Sequence, residues 1–66
     1  MRIRIEFNRR PGDTVKRSVS SREEAVQELN RLRNACLTGR AIDENSGEVI
    51  AWTHRSKVGN WSVRIA

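Results

Sequence analysis

Sixty-six residues can bury only one modest core, which excludes two domains and makes residues 1–66 a single compact domain. One cysteine, Cys36, and one histidine, His54, exclude an internal disulfide and a structural zinc site, so packing alone must hold the fold together unless a partner assists. Thirteen Lys and Arg against eight Asp and Glu give a net charge of +5, and no apolar run approaches the roughly 20 residues of a membrane span.

The chain opens with Ile3, Ile5 and Phe7 alternating with Arg2, Arg4, Glu6 and Asn8, the period-two pattern of a strand with one buried face. This start does not resemble a signal-peptide core, so a complete, cytoplasmic, non-membrane protein is expected. A second strand follows over residues 14–19, with Val15 and Val19 on one face and Arg17 between them. Pro11-Gly12 marks the turn. A two-residue loop would set Asn8 against Val15, whereas a five-residue loop over residues 9–13 pairs Phe7 with Val15, Ile5 with Arg17, Ile3 with Val19 and Glu6 with Lys16. The second register keeps the apolar faces together and opposes unlike charges, and Arg17 makes the second strand an edge.

Ser20 with Glu23, or Ser21 with Glu24, has capping-box spacing. Ala25, Leu29, Leu32 and Cys36 then recur at helical spacing, with Val26 and Leu37 widening the stripe, and Gly39 stands where a left-handed residue ends a helix. Beyond it, a hairpin turning at Asn45-Ser46-Gly47 sets Ile42 opposite Ile50 and Arg40 opposite Trp52. A final hairpin with a four-residue loop over residues 55–58 sets Trp52 opposite Trp61 and Ile50 opposite Val63.

The elements give an α+β fold of order β-β-α-β-β-β, with a single amphipathic helix packed on one face of a mainly antiparallel four- or five-stranded sheet. The expected core is Ile3, Ile5, Phe7, Val15, Val19, Ala25, Val26, Leu29, Leu32, Cys36, Ile42, Ile50, Trp52, Trp61, Val63 and Ile65. The first strand is strongly apolar and needs a neighbour on each side, which favours placing it beside the last.

This topology sends Arg9, Arg10, Arg33, Arg40, His54, Arg55 and Lys57 to one end of the molecule, with only Asp13 among them, and Glu23, Glu24, Asp43, Glu44 and Glu48 to the other. Helix-dipole preferences account for Glu23, Glu24 and Arg33. They do not account for the hairpin cations, which form a candidate site for nucleic acid or another anion, alongside the reading of plain solubilising charge. A second basic patch is expected on the open sheet face from Arg2, Arg4, Lys16 and Arg64, with Arg4 and Arg64 adjacent if the first and last strands are neighbours. With both tryptophans assigned to the buried side, the sheet offers no stacking platform for bases.

Catalysis finds little support. His54 has no acidic neighbour in sequence to orient it, and Asp13 is its nearest expected spatial partner. Cys36 reads as a small buried hydrophobe, and the acidic stretch at residues 43–48 lacks EF-hand spacing. No enzyme activity, cofactor or metal is expected. The leading reading is a nucleic-acid-binding domain acting mainly through arginine contacts to DNA or RNA phosphates, because eleven of the thirteen cations are arginine and the guanidinium fork matches phosphate. The alternative is a small protein-interaction module, an inhibitor or accessory subunit docking on an acidic or nucleic-acid-binding protein surface, with Trp52, Trp61 and His54 as interface anchors. A homodimer formed by edge pairing is a further possibility.

Overall fold

The computed structural model describes residues 1–66. Strands β1 (Ile3–Arg10) and β2 (Asp13–Val19) precede helix α1 (Arg22–Asn34), and β3 (Gly39–Asp43), β4 (Val49–Arg55) and β5 (Trp61–Ile65) follow it. All five strands form one antiparallel sheet in the order β2-β1-β3-β4-β5, with the helix packed on one face. The helix is too short and too polar to cross a membrane. β1 does gain a neighbour on each side, but these are β2 and β3; the last strand lies at the far edge. Since β2 and β3 both run antiparallel to β1, they run parallel to each other, and α1 is the crossover that carries the chain over β1 between them.

The first hairpin adopts the register that matches its hydrophobic faces, with Ile3 opposite Val19, Ile5 opposite Arg17, Glu6 opposite Lys16 and Phe7 opposite Val15. A bulge between Asn8 and Arg10 absorbs the odd residue, and Gly12 turns the chain at φ +81°. Arg17 lies on the helix side of this edge strand, 3.8 Å from Glu28 of α1. At the start of α1, Ser21 is the N-cap and accepts from the amide of Glu24, while the Glu24 carboxylate reaches back to the amide and hydroxyl of Ser20. Of the two serine–glutamate pairs with capping spacing, Ser21 with Glu24 is the one that forms.

The helix terminates differently from expectation. Leu37 N–H donates to the carbonyl of Leu32 at 2.9 Å and Cys36 N–H to that of Arg33 at 3.0 Å, the two bonds of a Schellman motif. The left-handed residue is therefore Cys36, at φ +57°, and not Gly39. That position rotates the Cys36 side chain off the apolar stripe and leaves it exposed, so it is no part of the core.

Gly39 has a different task. A Cβ there would come within 2.5 Å of Leu32 Cδ1, 3.1 Å of Phe7 Cβ and 3.3 Å of the Glu6 carbonyl. Its absence lets the end of α1 sit close on β3. The same closeness accounts for the small helix-facing residues of β3 and β4: Ala41, Ala51 and Thr53 are all buried. The Thr53 hydroxyl accepts from Gly39 N–H at 2.9 Å and donates to the Leu37 carbonyl at 3.0 Å, satisfying backbone groups at the helix-to-strand junction.

Ile3, Ile5, Ala25, Leu29, Leu32, Ala41 and Ala51 form the core, and Phe7, Val19, Leu37, Ile50 and Val63 pack around it. Besides Cys36, three expected members differ. Ile65 is 65% exposed near the free end of β5. Ile42 is buried, yet its register opposite Arg4 places it on the sheet face away from the helix. Trp52 also lies on that outer face, because Ala51 and Thr53 occupy the helix-facing positions on either side of it.

Two substitutions test this packing. Gly39→Ala must displace Leu32 within a filled core, and urea unfolding should show a loss of about 1–2 kcal/mol after the unfolded-state gain from removing a glycine. Cys36→Gly relieves the left-handed strain and should raise stability by about 1 kcal/mol, which for a domain of this size is a rise in Tm of roughly 4–8 °C.

Candidate functional site

The helix covers one face of the sheet and leaves the other open, so the register decides which side chains the open face presents. Reading across it, Lys16 stands opposite Glu6, Glu6 opposite Arg40, Arg40 opposite Trp52, and Trp52 opposite Arg64. One transverse row therefore crosses all five strands as Lys16, Glu6, Arg40, Trp52 and Arg64. At about 4.8 Å per strand the row is about 19 Å long. On one side of it lie Thr14, Asn8, His54 and Ser62; on the other lie Ser18, Arg4 and Ile42.

Glu6 is the sole carboxylate in this row. Arg4 Nε donates to its Oε2 at 2.6 Å and Arg40 Nη2 to its Oε1 at 3.3 Å. Burial works to raise the Glu6 pKa, but hydrogen bonds from Arg40 and Arg4, and the charges of both guanidiniums, outweigh it and hold the carboxyl below its ordinary value. The cluster keeps one net positive charge, and the Arg40 side chain remains 57% exposed.

The same two-to-one pattern recurs twice. Asp13 is shared by Arg9 at 2.9 Å and Arg10 at 3.6 Å, and Glu28 by Arg31 at 3.0 Å and Arg17 at 3.8 Å. No other acidic side chain approaches a cation within 4.0 Å. Lys16, Arg64, Arg2, Arg22, Arg33, Arg55 and Lys57 consequently have no carboxylate partner.

These positions divide the cations read as one basic end. The antiparallel topology does bring the β1–β2 turn, the C-terminus of α1 and the β4–β5 turn to a common end, with the N-terminus of α1 and the β3–β4 turn at the other. Arg9 and Arg10 fold onto Asp13, while Arg55 and Lys57 belong to the β4–β5 end, with β3 between that hairpin and the first. Arg40 belongs to the open face. Of the expected sheet-face patch, Arg4, Lys16 and Arg64 do share that face, but β3 and β4 separate Arg4 from Arg64, and Arg2 precedes β1.

His54 sits on β4 opposite Ser62. Asp13, its expected partner, is engaged by Arg9 and Arg10 on the far edge strand, three strands away. Trp61, opposite Arg55 and two residues before Val63, belongs to the helix side and is half-buried.

Trp52 is the residue whose place sequence reasoning missed. Setting it opposite Trp61 shortens the last turn by one residue and shifts the strands; the actual turn spans residues 56–60, with Ser56 and Asn60 paired and Gly59 at φ +87°. The usable signal was the preceding hairpin, which already set Trp52 opposite Arg40 and hence on a charged face. Beside Trp52 a depression of about 460 Å³ opens, lined among others by Glu6, Asn8, Thr14, Thr38 and Arg40. Asn8 Oδ1 accepts from the Thr14 hydroxyl at 2.8 Å, which leaves its amide N–H groups as free donors. Comparison with protein-family models, curated proteins and solved structures finds no match.

The Glu6 cluster makes stability depend on pH with a definite sign. A carboxyl whose pKa is depressed on folding contributes stability that is complete above its unfolded value and fades as pH falls through the folded one. Wild type and Glu6→Gln should therefore differ most at neutral pH, with wild type the more stable. The gap should narrow as the pH falls below 4.5, as read from paired urea unfolding curves.

Proposed function

We propose that this chain is a non-enzymatic nucleic-acid-binding domain and that the open face of its sheet is the binding surface. The observation that carries the reading is the transverse row itself. It has cations without carboxylate partners at both ends, Lys16 and Arg64, a third cation in Arg40, and only one acid, Glu6, which Arg40 and the neighbouring Arg4 already saturate. Five acids, Glu23, Glu24, Asp43, Glu44 and Glu48, belong to the helix start and the β3–β4 turn, so they leave the row's own potential positive. A polyanion meets fixed positive charge along about 19 Å of rigid backbone.

Arginine dominates, and its planar fork can hold two phosphate oxygens at once. Such contacts set position and affinity and carry little sequence information, so binding across many sequences follows. Arg55 and Lys57, at the β4–β5 end next to Arg64's hairpin, extend the positive field beyond the sheet.

Fluorescence anisotropy with labelled oligonucleotides of mixed sequence tests the reading. Binding should be measurable at low salt, with log K falling linearly as log salt rises. Lys16→Gln and Arg64→Gln break no internal ion pair, so each should weaken binding without unfolding the domain, and each should reduce the salt slope by about one. No detectable binding of any oligonucleotide at low salt overturns the proposal.

A further inference from the structure

We infer that the ligand of this face is a single strand, with one base stacked on Trp52 and the flanking phosphates held by Arg40 and Arg64. The inference rests on the nucleic-acid reading above and narrows it to one substrate class. Three features of the open face lead to it.

The first is the placement of Trp52. It is the one aromatic residue on the open face, half-buried, with its two cross-strand neighbours both arginines. An indole offers a flat surface on which any base can stack, and cations one strand away on each side match a backbone that runs across the sheet. Nothing in phosphate recognition alone requires a tryptophan between two arginines. The outer position also exposes apolar surface that the core does not use.

The second is shape. The major groove of a duplex is about 12 Å wide and admits a helix or a two-stranded ribbon. The open face spans five strands and about 19 Å, and Trp52 lies on β4, inside the edge formed by β5. A sheet of that breadth lies across a duplex on its phosphates, where Trp52 meets no base. In a single strand the bases are free to splay out onto the sheet.

The third is the depression beside Trp52. Its volume of about 460 Å³ accommodates a neighbouring base, and the free amide N–H groups of Asn8 face acceptors on any of the bases that carry a ring carbonyl or nitrogen. His54 and Ser62, opposite each other on the same side of the row as Asn8 and Thr14, add further hydrogen-bonding groups next to Trp52. Since neither stacking nor phosphate contact reads the sugar, single-stranded DNA and RNA should both bind.

The test uses the full chain and three probes of about twelve units, oligo(dT), oligo(U) and a mixed-sequence DNA duplex, a length matched to single-strand sites of this kind. Both single strands should bind more tightly than the duplex. Trp52→Ala should weaken single-strand binding by about ten- to a hundredfold while changing duplex binding little, and Trp52→Phe should retain most of the affinity. In Trp61→Phe protein, where Trp52 is the only indole, adding oligo(dT) should quench the emission; this readout needs no destabilising change at position 52.

If the duplex binds as well as the single strands, with Trp52 emission unmoved and Trp52→Phe and Trp52→Ala both silent, stacking is overturned while the phosphate reading stands. If no probe binds, both fall together. Binding of only one of the two single strands would overturn the claim that the sugar goes unread.

Discussion

One helix of thirteen residues has to cover five strands. At about 1.5 Å per residue it is about 20 Å long, enough to cross one face once and no more. Everything else in the molecule answers to that constraint. The helix packs against all five strands, so the strands beneath it must carry small residues where it approaches most closely and large aliphatic ones where it leaves room. Gly39, Ala41, Ala51 and Thr53 meet the first condition; Ile3 and Ile5 meet the second. The other face has no second layer and must be made compatible with water by charge.

The charges of the molecule, on that face and around it, are organised by sharing. Glu6 with Arg4 and Arg40, Asp13 with Arg9 and Arg10, and Glu28 with Arg17 and Arg31 each join one carboxylate to two guanidiniums. Exposed pairs of this sort contribute little to stability individually. Their main consequence is that each acid is held in place while a positive charge remains over. On the edge strand β2, Lys16 and Arg17 also discourage another strand from pairing there. β5, with Arg64 as its sole charge and Ile65 exposed, has less such protection.

Much of this fold is legible in the residues. The period-two alternation of β1, the Glu6–Lys16 register, the Ser21–Glu24 cap and the Arg40–Trp52 opposition each follow from local chemistry, and each is present. What local chemistry does not reveal is how closely the helix will approach. A reading by hydrophobicity assigns Ile50 and Trp52 to the core and ignores Ala51 and Thr53, since large apolar residues usually mark the inner face. Here the inner face of β4 is marked by small ones. A bulge against Ile42 completes the deception, letting Ile50 pack against the core while Trp52, two residues on, points away. The strand order was open for a related reason: β1 signals that it needs two neighbours but not which strands supply them. Helical spacing alone places Cys36 on the apolar stripe, but it is the left-handed residue that ends the helix.

The placement of Trp52 links this packing to the proposed site. Strand residues alternate between faces, so a helix that demands Ala51 and Thr53 beneath it turns the residue between them outward. The identity of that residue is then free of the core, and a water-facing surface would be served as well by threonine or glutamine. A tryptophan between two arginines instead presents part of a large hydrophobic ring on the water-facing side of the sheet. On the proposed reading, its value lies in the base it meets outside the molecule. The missing side chain of Gly39 thus lets α1 and β3 pack closely, and the alternation of β4 about the buried Ala51 and Thr53 sets the face on which the indole is displayed.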